Sequence, residues 1–594
     1  MIQLGYSTRG LIVMIHLLPT PKSVKLTDER CKLDGLSLVV APGQDRRVYQ
    51  GALALQADLA KVLGHSVKLS TATPGACCVA IATKGDAGEG YRLSVTSAGI
   101  TVEGDGPAGT FYGMQTLRQL LAGVTNSVLR GVEIADTPDF AVRGIYHDVT
   151  RGKVPTLDTL KRLVDTLSYY KINMLQLYIE DAFAFEEYEG IMQPFEVLTP
   201  AEIMELDEYC HARFVELTPS ISTFGHLYRL LQSPKYRHLC EYENYEPSSH
   251  PWHEKMAHHT IDVFNPESIT VIHSMIDQYV GLCRSEYFNI CCDETFDLCK
   301  GRNAGKDVGE AYFGFVQQIL ERVRFHGKKP MMWGDIVLHH PEKIEELGED
   351  VIMLNWDYGP CPTVNNTAAF TGAGRKQIQC PGTGSWNRWI EDAVGAKGNI
   401  STMARYGAEH GALGILTTNW GDYGNVCSIN GALYGLTLGA QMGWQVNAPI
   451  DEEYEQAFSA LAYGQQVNMV DSIRRLIACE NTALWGGLVN CLGARDHADG
   501  DGKLHGCDSD RIREMLPACL QLQEELKALP QTEPTADLLL SARAVETMMR
   551  MYLYLMGEEE KPDVEPFLAA HREAWLRYNK QSQLTWVEYL FRSL

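Results

Sequence analysis

Asp293 and Glu294 stand side by side after the run Glu286-Tyr287-Phe288-Asn289-Ile290-Cys291-Cys292, and two neighbouring carboxylates can divide acid and base work between them. One stays ionised while the other is kept protonated by drier surroundings or by its neighbour's charge. An arbitrary Asp-Glu pair is usually only a solvated loop start. Here the apolar run before it predicts a strand buried on both faces, Tyr287 to Cys292. The pair would then stand at that strand's C-terminal end, where barrel enzymes keep their chemistry.

Tryptophan and carboxylate recur in the same setting. Trp333-Gly334-Asp335, Asn355-Trp356-Asp357-Tyr358, Ser385-Trp386-Asn387 and Asn419-Trp420-Gly421-Asp422-Tyr423 each follow or close a predicted strand, so four of the ten tryptophans fall where active-site loops would begin. A lone tryptophan is more often core than ligand-binding, but several converging on one face make an aromatic box. Aromatic faces pack on the apolar faces of sugar rings, while carboxylates and arginine take the hydroxyls. This composition points to a glycosidase.

The elements that must position these residues follow from periodicity. Predicted strands run Val142 to Val149, Met174 to Ile179, Phe214 to Ile221, Tyr287 to Cys292, Lys329 to Trp333, Val351 to Asn355, Lys376 to Cys380 and Leu413 to Thr418. Helical patterns lie between them. Thr156 can cap one with Leu157, Leu160, Val164 and Leu167 on one face, Asn265-Pro266 opens another, and Gly327 ends a third that starts at Gly309. Strand alternating with helix over about three hundred residues predicts a (β/α)8 TIM barrel.

Upstream, a helical pattern from Gln50 to Leu63, a hairpin of Tyr91 to Val95 with Ile100 to Gly104, and a helix from Gly109 to Leu121 predict a small α/β domain. Asp136-Thr137-Pro138-Asp139-Phe140 interrupts both periodicities and marks a junction. From about Pro449 the strand signals stop. Helices are expected at Glu453 to Leu461, Met469 to Ala478, Ser509 to Leu529, Ala536 to Met556 and Pro566 to Tyr578, with a loop at Asp496 to Cys507. The expected domains are 1–140, 141–448 and 449–594.

The chain has 594 residues, 45% hydrophobic and 21% charged, which suits a globular protein of more than one domain. Its 75 acidic against 52 basic residues give a net charge of -23, which argues against nucleic acid or anionic membrane as partner. The sixteen cysteines are scattered without disulfide or zinc spacing, as in a reducing compartment. Gly10 to Leu18 is too short and interrupted for a signal segment and is expected to be a first strand, so a cytoplasmic location is expected. His147, His211 and His258-His259 lack ligand spacing and no phosphate-cradling glycine loop stands behind a strand, so neither metal nor cofactor is expected.

With these residues in view, the chain resembles family-20 glycoside hydrolases, the β-N-acetylhexosaminidases, along most of its length. The resemblance is carried by Leu18-Pro19-Thr20-Pro21-Lys22-Ser23-Val24, Glu89-Gly90-Tyr91-Arg92-Leu93 and the Gly109 to Leu121 stretch in the first domain. In the barrel it is carried by Val142-Arg143-Gly144-Ile145-Tyr146-His147-Asp148-Val149-Thr150-Arg151, Lys171-Ile172-Asn173-Met174-Leu175, Thr260-Ile261-Asp262 and the Asp293-Glu294 pair. It implies that the first domain is of the hexosaminidase, zincin-like type. It also implies a substrate-assisted mechanism, in which the sugar's own 2-acetamido oxygen attacks the anomeric carbon and configuration is retained. Glu294 would then be the general acid and base, and Asp293 would orient the acetamido group.

By the same resemblance Arg143, Asp181 and Asp422 would hold hydroxyls of the terminal sugar, and Trp333, Trp356 and Trp420 would line the acetamido pocket. His226 would be a supporting histidine, and either Tyr358 or Asn387 would hold the acetamido oxygen; Trp386 joins the box by its strand-end position alone. The sequence departs from the family at Leu177-Tyr178, where Trp-His is usual, and at Ser220-Ile221-Ser222, where an acidic motif is usual. It departs again at Cys291-Cys292, where glycines are usual. The implied partner is a glycan or glycoconjugate ending in N-acetylhexosamine. Three alternatives stay open: the same chemistry on a sulfated or phosphorylated sugar, a barrel that binds sugar without turnover, and a glycosidase with an ordinary carboxylate nucleophile such as Asp422.

Overall fold

The structure is a computed structural model and describes residues 15–73, 75, 78–124, 126–243, 251–493 and 507–594. Contacts divide the chain into two compact units, one of residues 1–137 with 449–467, the other of residues 138–448 with 468–594. The expected first strand at Gly10 to Leu18 lies, up to Met14, outside the described residues, and Ile15 to Leu18 form no strand. The expected loop at Asp496 to Cys507 lies outside them but for Cys507.

The first unit holds a seven-stranded sheet made of β1 (Ser23–Lys32), β2 (Ser37–Val40), β3 (Leu69–Thr71), β4 (Cys78–Thr83), β5 (Tyr91–Thr96), β6 (Gly99–Gly104) and β7 (Val128–Asp136), in the order β1-β7-β5-β6-β4-β2-β3. β5 and β6 form the antiparallel hairpin anticipated from their alternation. Helices Arg46–Leu63 and Pro107–Ala122 pack with it. A Cβ on Gly113 would come within 2.6 Å of Val102, so only glycine lets the second helix lie this close to the sheet.

The second unit is built on β8 (Val142–Asp148), β9 (Met174–Tyr178), β10 (Glu216–Thr218), β11 (Tyr287–Asn289), β12 (Lys329–Trp333), β13 (Ile352–Trp356), β14 (Gln377–Cys380) and β15 (Gly414–Asn419). Every pairing is parallel, in the order β10-β9-β8-β15-β14-β13-β12-β11, and a parallel bridge from Ser220 to Asn289 brings the two ends together. This is an eight-stranded barrel. Its interior is filled by Tyr146, Met174, Tyr178, Cys291, Met331, Trp333, Leu354, Ile378 and Leu416. Thr156 caps the first outer helix, Leu157–Tyr169, and Asn265 caps the helix Pro266–Val280 with proline next, as the sequence predicts.

Two strands are shorter than predicted by more than one residue. β10 stops before Pro219, which has no N–H to give the ladder. β11 stops at Asn289 because Cys291 and Cys292 take positive φ, 57° and 65°. After the barrel the chain is helical, and Trp485–Gly493 and Leu584–Ser593 add to the expected helices. No described helix is long and apolar enough to cross a membrane. Of the described cysteines, Cys361 in the loop after β13 is exposed and the others are buried.

Candidate active site

All eight strands are parallel, so their C-terminal ends meet on one face, and the side chains singled out by type are brought there from different strands. The stretch after β11 is the most constrained. Cys291, Cys292 and Glu294 (φ 51°) all lie in the left-handed region, at a cost of about 1–2 kcal/mol each for an L-residue. Hydrogen bonds hold the turn in place. Asn289 Oδ1 accepts from Cys291 N, Thr223 Oγ1 donates to Ile290 O at 2.6 Å, and Tyr312 OH donates to Cys292 O at 2.8 Å. Trp333 N donates to Cys291 O, and Asp335 Oδ2 accepts the Glu294 N–H at 3.0 Å. The twist presents both carboxylates to the barrel mouth, Asp293 buried and Glu294 with 30% of its side chain exposed.

His226 sits between them. Its Nε2 is 3.3 Å from Asp293 Oδ2 and 3.4 Å from Glu294 Oε2, and its Nδ1 is 3.7 Å from Glu180. A Cβ on Gly225 would come within 2.9 Å of Asp293 O, so glycine is what lets this loop reach the pair. Burial alone would push the imidazole down, but the charge and hydrogen bonding of Asp293 and Glu294 outweigh it and raise His226 to about 9. Burial would raise Glu294, and contact with His226 instead holds it below the usual carboxylate range. His259 lies behind, its Nδ1 accepting from His226 N at 3.3 Å and its Nε2 donating to Glu294 O at 2.9 Å. Burial keeps it neutral, which agrees with that tautomer.

Arg151 spans the opposite side. It donates to Asp422 Oδ1 at 2.8 Å, to Glu180 Oε1 at 3.1 Å and to Tyr178 OH at 3.2 Å, with its guanidinium 5.0 Å from the Trp420 ring centre. The aromatic wall is continuous. Tyr146 meets Trp333 and Trp420 edge-on or tilted, each at 5.1 Å, and Tyr358 stacks on Trp356 at 5.1 Å and leans on Trp386 at 5.1 Å. Tyr358 OH accepts from Trp420 Nε1 at 2.7 Å, which ties the β13 loop to the β15 loop. Trp333, Trp356, Tyr358, Trp386 and Trp420 therefore converge as their positions suggested.

Two expectations are corrected. Arg143 is the second residue of β8 and lies at the opposite end of the barrel, about 16 Å below the strand's C-terminus at roughly 3.3 Å per residue. There it donates to Lys171 O and Phe140 O and packs 5.1 Å from the Trp444 ring. Arg151 is the arginine at the mouth. Asp181 is beside the site but turned from it, accepting from Thr150 Oγ1 at 2.7 Å and lying 3.4 Å from Arg229 Nε, and burial raises it to about 6. Glu180 takes the place in the cluster. Asn387 has φ 57° and a buried Oδ1 without a hydrogen-bond partner, whereas the Tyr358 hydroxyl stands in the aromatic wall.

Sequence reasoning also passed over Lys255, whose Nζ is 3.4 Å from Glu180, and noted Asp335 only as a strand-end carboxylate without giving it a role. Burial, then the charge of Asp293, raises Asp335 to about 7. Its place at the end of β12, after Trp333, was the available signal. His226, Asp293 and Glu294 offer ligand atoms within 4.8 Å of one another. A metal ion there would first have to displace the proton that both carboxylates hold on His226.

Set beside known proteins, residues 14–137 match the family model "Glycosyl hydrolase family 20, domain 2" and residues 140–386 match "Glycosyl hydrolase family 20, catalytic domain". The chain is 36% identical over 159 residues to a beta-hexosaminidase of Akkermansia muciniphila, covering 23% of this chain and 32% of that protein. It is 25% identical over 363 residues to a beta-hexosaminidase of Porphyromonas gingivalis, covering 54% and 46%. It thus spans less than half the length of each of these relatives. Among solved structures, Flavobacterium johnsoniae chitobiase aligns over 94% of this chain and 96% of its own, with a TM-score of 0.64 at 16% identity. A beta-N-acetylhexosaminidase of Bacteroides fragilis aligns over 76% and 96%, with a TM-score of 0.62 at 18% identity. At these identities the structural likeness speaks for the fold.

Proposed function

The chain belongs to glycosyl hydrolase family 20, and from that premise we propose that it is an exo-acting β-N-acetylhexosaminidase, removing a terminal β-linked GlcNAc or GalNAc with retention of configuration. One observation carries the reading: Asp293 and Glu294 share one histidine at the C-terminal mouth of the barrel, where Trp333, Trp356, Tyr358, Trp386 and Trp420 cluster. Two further carboxylates close by, Asp422 and Glu180, are each engaged by Arg151, which leaves them poor nucleophiles and good acceptors for sugar hydroxyls.

The substrate's acetamido oxygen attacks C1 as the bond from C1 to the leaving oxygen breaks, and Glu294 gives that oxygen a proton. His226 holds a proton against Glu294 in the free site, so the pair carries the proton the first step needs. Asp293 accepts from the acetamido N–H and balances the charge of the oxazolinium ring. Glu294 then takes a proton from water, which attacks C1 and restores the acetamido group. Tyr358 is the donor we assign to the acetamido oxygen, and Arg151 with Asp422 grips the hydroxyls of the ring.

Paired assays on an aryl β-N-acetylglucosaminide and an aryl β-glucoside test this. Wild type should turn over only the first, and Glu294→Gln and Asp293→Asn should each lower kcat by about 10²–10⁴-fold. Turnover of both sugars would mean a protein nucleophile. A second reading, a sulfated or phosphorylated hexosamine as substrate, is favoured by Lys255 and Arg229, both part-exposed beside Glu180 and Asp181. It predicts a higher kcat/KM on the charged sugar in the same assay.

A further inference from the structure

Phe296 is two residues beyond the acid and is 47% exposed, although Thr295 and Asp297 on either side of it are buried. The outward turn of this one ring is built in. Phe296 N donates to Glu294 O at 2.7 Å, closing a tight turn that folds the residue back beside the acid, and Thr260 Oγ1 donates to Asp297 Oδ1 and pins the next residue inward. The Phe296 ring lies parallel to His259, at 15° and 6.0 Å between centres, and His259 meets His226 edge-on at 4.4 Å. Three rings thus lead in a row from the Asp293-Glu294 pair to solvent. Of the exposed large apolar side chains among the described residues, Phe296 is the one joined in this way to the acid.

Glu294 must touch the oxygen of the departing group, so whatever is attached to that oxygen lies beside the exposed part of Glu294, and Phe296 is the exposed ring two residues along the chain from it. Resting on the hexosaminidase reading above, we propose that Phe296 is the platform of a leaving-group subsite. It would take the apolar face of a ring, whether the next sugar of a glycan or an aromatic aglycone. A flat ring whose back is held by His259 loses little freedom on stacking, and it can select ring-bearing leaving groups without dedicated hydrogen bonds. Because its contact is with the departing portion, it acts in the glycosylation half of the reaction and leaves the attack of water on the intermediate to Glu294 alone.

The test compares kcat/KM of wild type, Phe296→Ala and Phe296→Trp on three substrates of the same sugar: methyl β-N-acetylglucosaminide, an aryl β-N-acetylglucosaminide and N,N′-diacetylchitobiose. The expected result is that Phe296→Ala lowers the ratio of the ring substrates to the methyl substrate by up to about tenfold, while Phe296→Trp keeps it. A fall for only the aryl or only the sugar substrate identifies which ring is taken. An unchanged ratio, including an equal loss on all three, overturns the subsite and makes Phe296 a support for His259. If wild type turns over none of the three, the hexosaminidase reading fails and the subsite with it.

Discussion

Asp335 accepts the Glu294 N–H with one oxygen and leaves the other buried without a partner. Its carboxyl is raised from 3.8 to about 7, by burial first and then by the charge of Asp293. Between those values the native protein holds a proton that the unfolded chain releases, so stability present at low pH is lost as pH rises through about 7. Asp335→Asn keeps an acceptor for Glu294 and removes the charge. Thermal unfolding from about pH 5 to about pH 8 should therefore show a flatter decline for the variant and a higher Tm at the alkaline end. An unaltered slope would mean that Asp335 stays ionised. At this scale the sequence was legible in residue type and less so in residue position. Arg143 stands near the start of β8 and Arg151 just past its end, and Glu180 and Asp181 are adjacent, yet only one of each pair reaches the site. Which one is decided by strand polarity and by the direction of a side chain at a strand end, and neither is written in composition.

The loop after β15 shows how elements outside the barrel act on the site. Asp422, Gly424 and Asn425 all take positive φ, and the loop is held from outside. Trp485 Nε1 donates to Tyr423 O at 2.8 Å, and a Cβ on Gly424 would come within 2.7 Å of Trp586. The helices carrying these two tryptophans therefore fix the loop that gives Asp422 to Arg151. Trp485→Phe removes one hydrogen bond of about 1 kcal/mol and should raise KM about fivefold with little change in kcat. A fall in kcat with unchanged KM would contradict this. Both helices escaped the sequence reading. Trp485-Gly486-Gly487 opens with paired glycines that lower helix propensity, and Leu584–Ser593 is short and held by packing. The barrel strands were legible nearly to the residue because buried parallel strands are continuous apolar runs. The early end of β11 was not, since nothing in two cysteines announces positive φ.

The molecule as a whole consists of two compact units, and the site belongs to the second. Heating should unfold the protein in more than one step, with N-acetylglucosamine raising only the step of the second unit. At a hundred times Kd the gain is about 2.7 kcal/mol, and scanning calorimetry with and without the sugar checks it. A single transition that moves as one would show that the two units melt together. One further property follows from where the cysteines lie. Burial pushes Cys291 up to about 12 and raises Cys292 well above the ordinary thiol value, so both stay as inert thiols beside the acid pair. Cys361 is the exposed one among the described cysteines, and it follows Tyr358 by three positions in the loop after β13. A maleimide dye offered to the folded protein thus meets, among the described cysteines, an accessible thiol on the loop that carries Tyr358, and the native sequence offers an attachment point for an optical reporter of that loop.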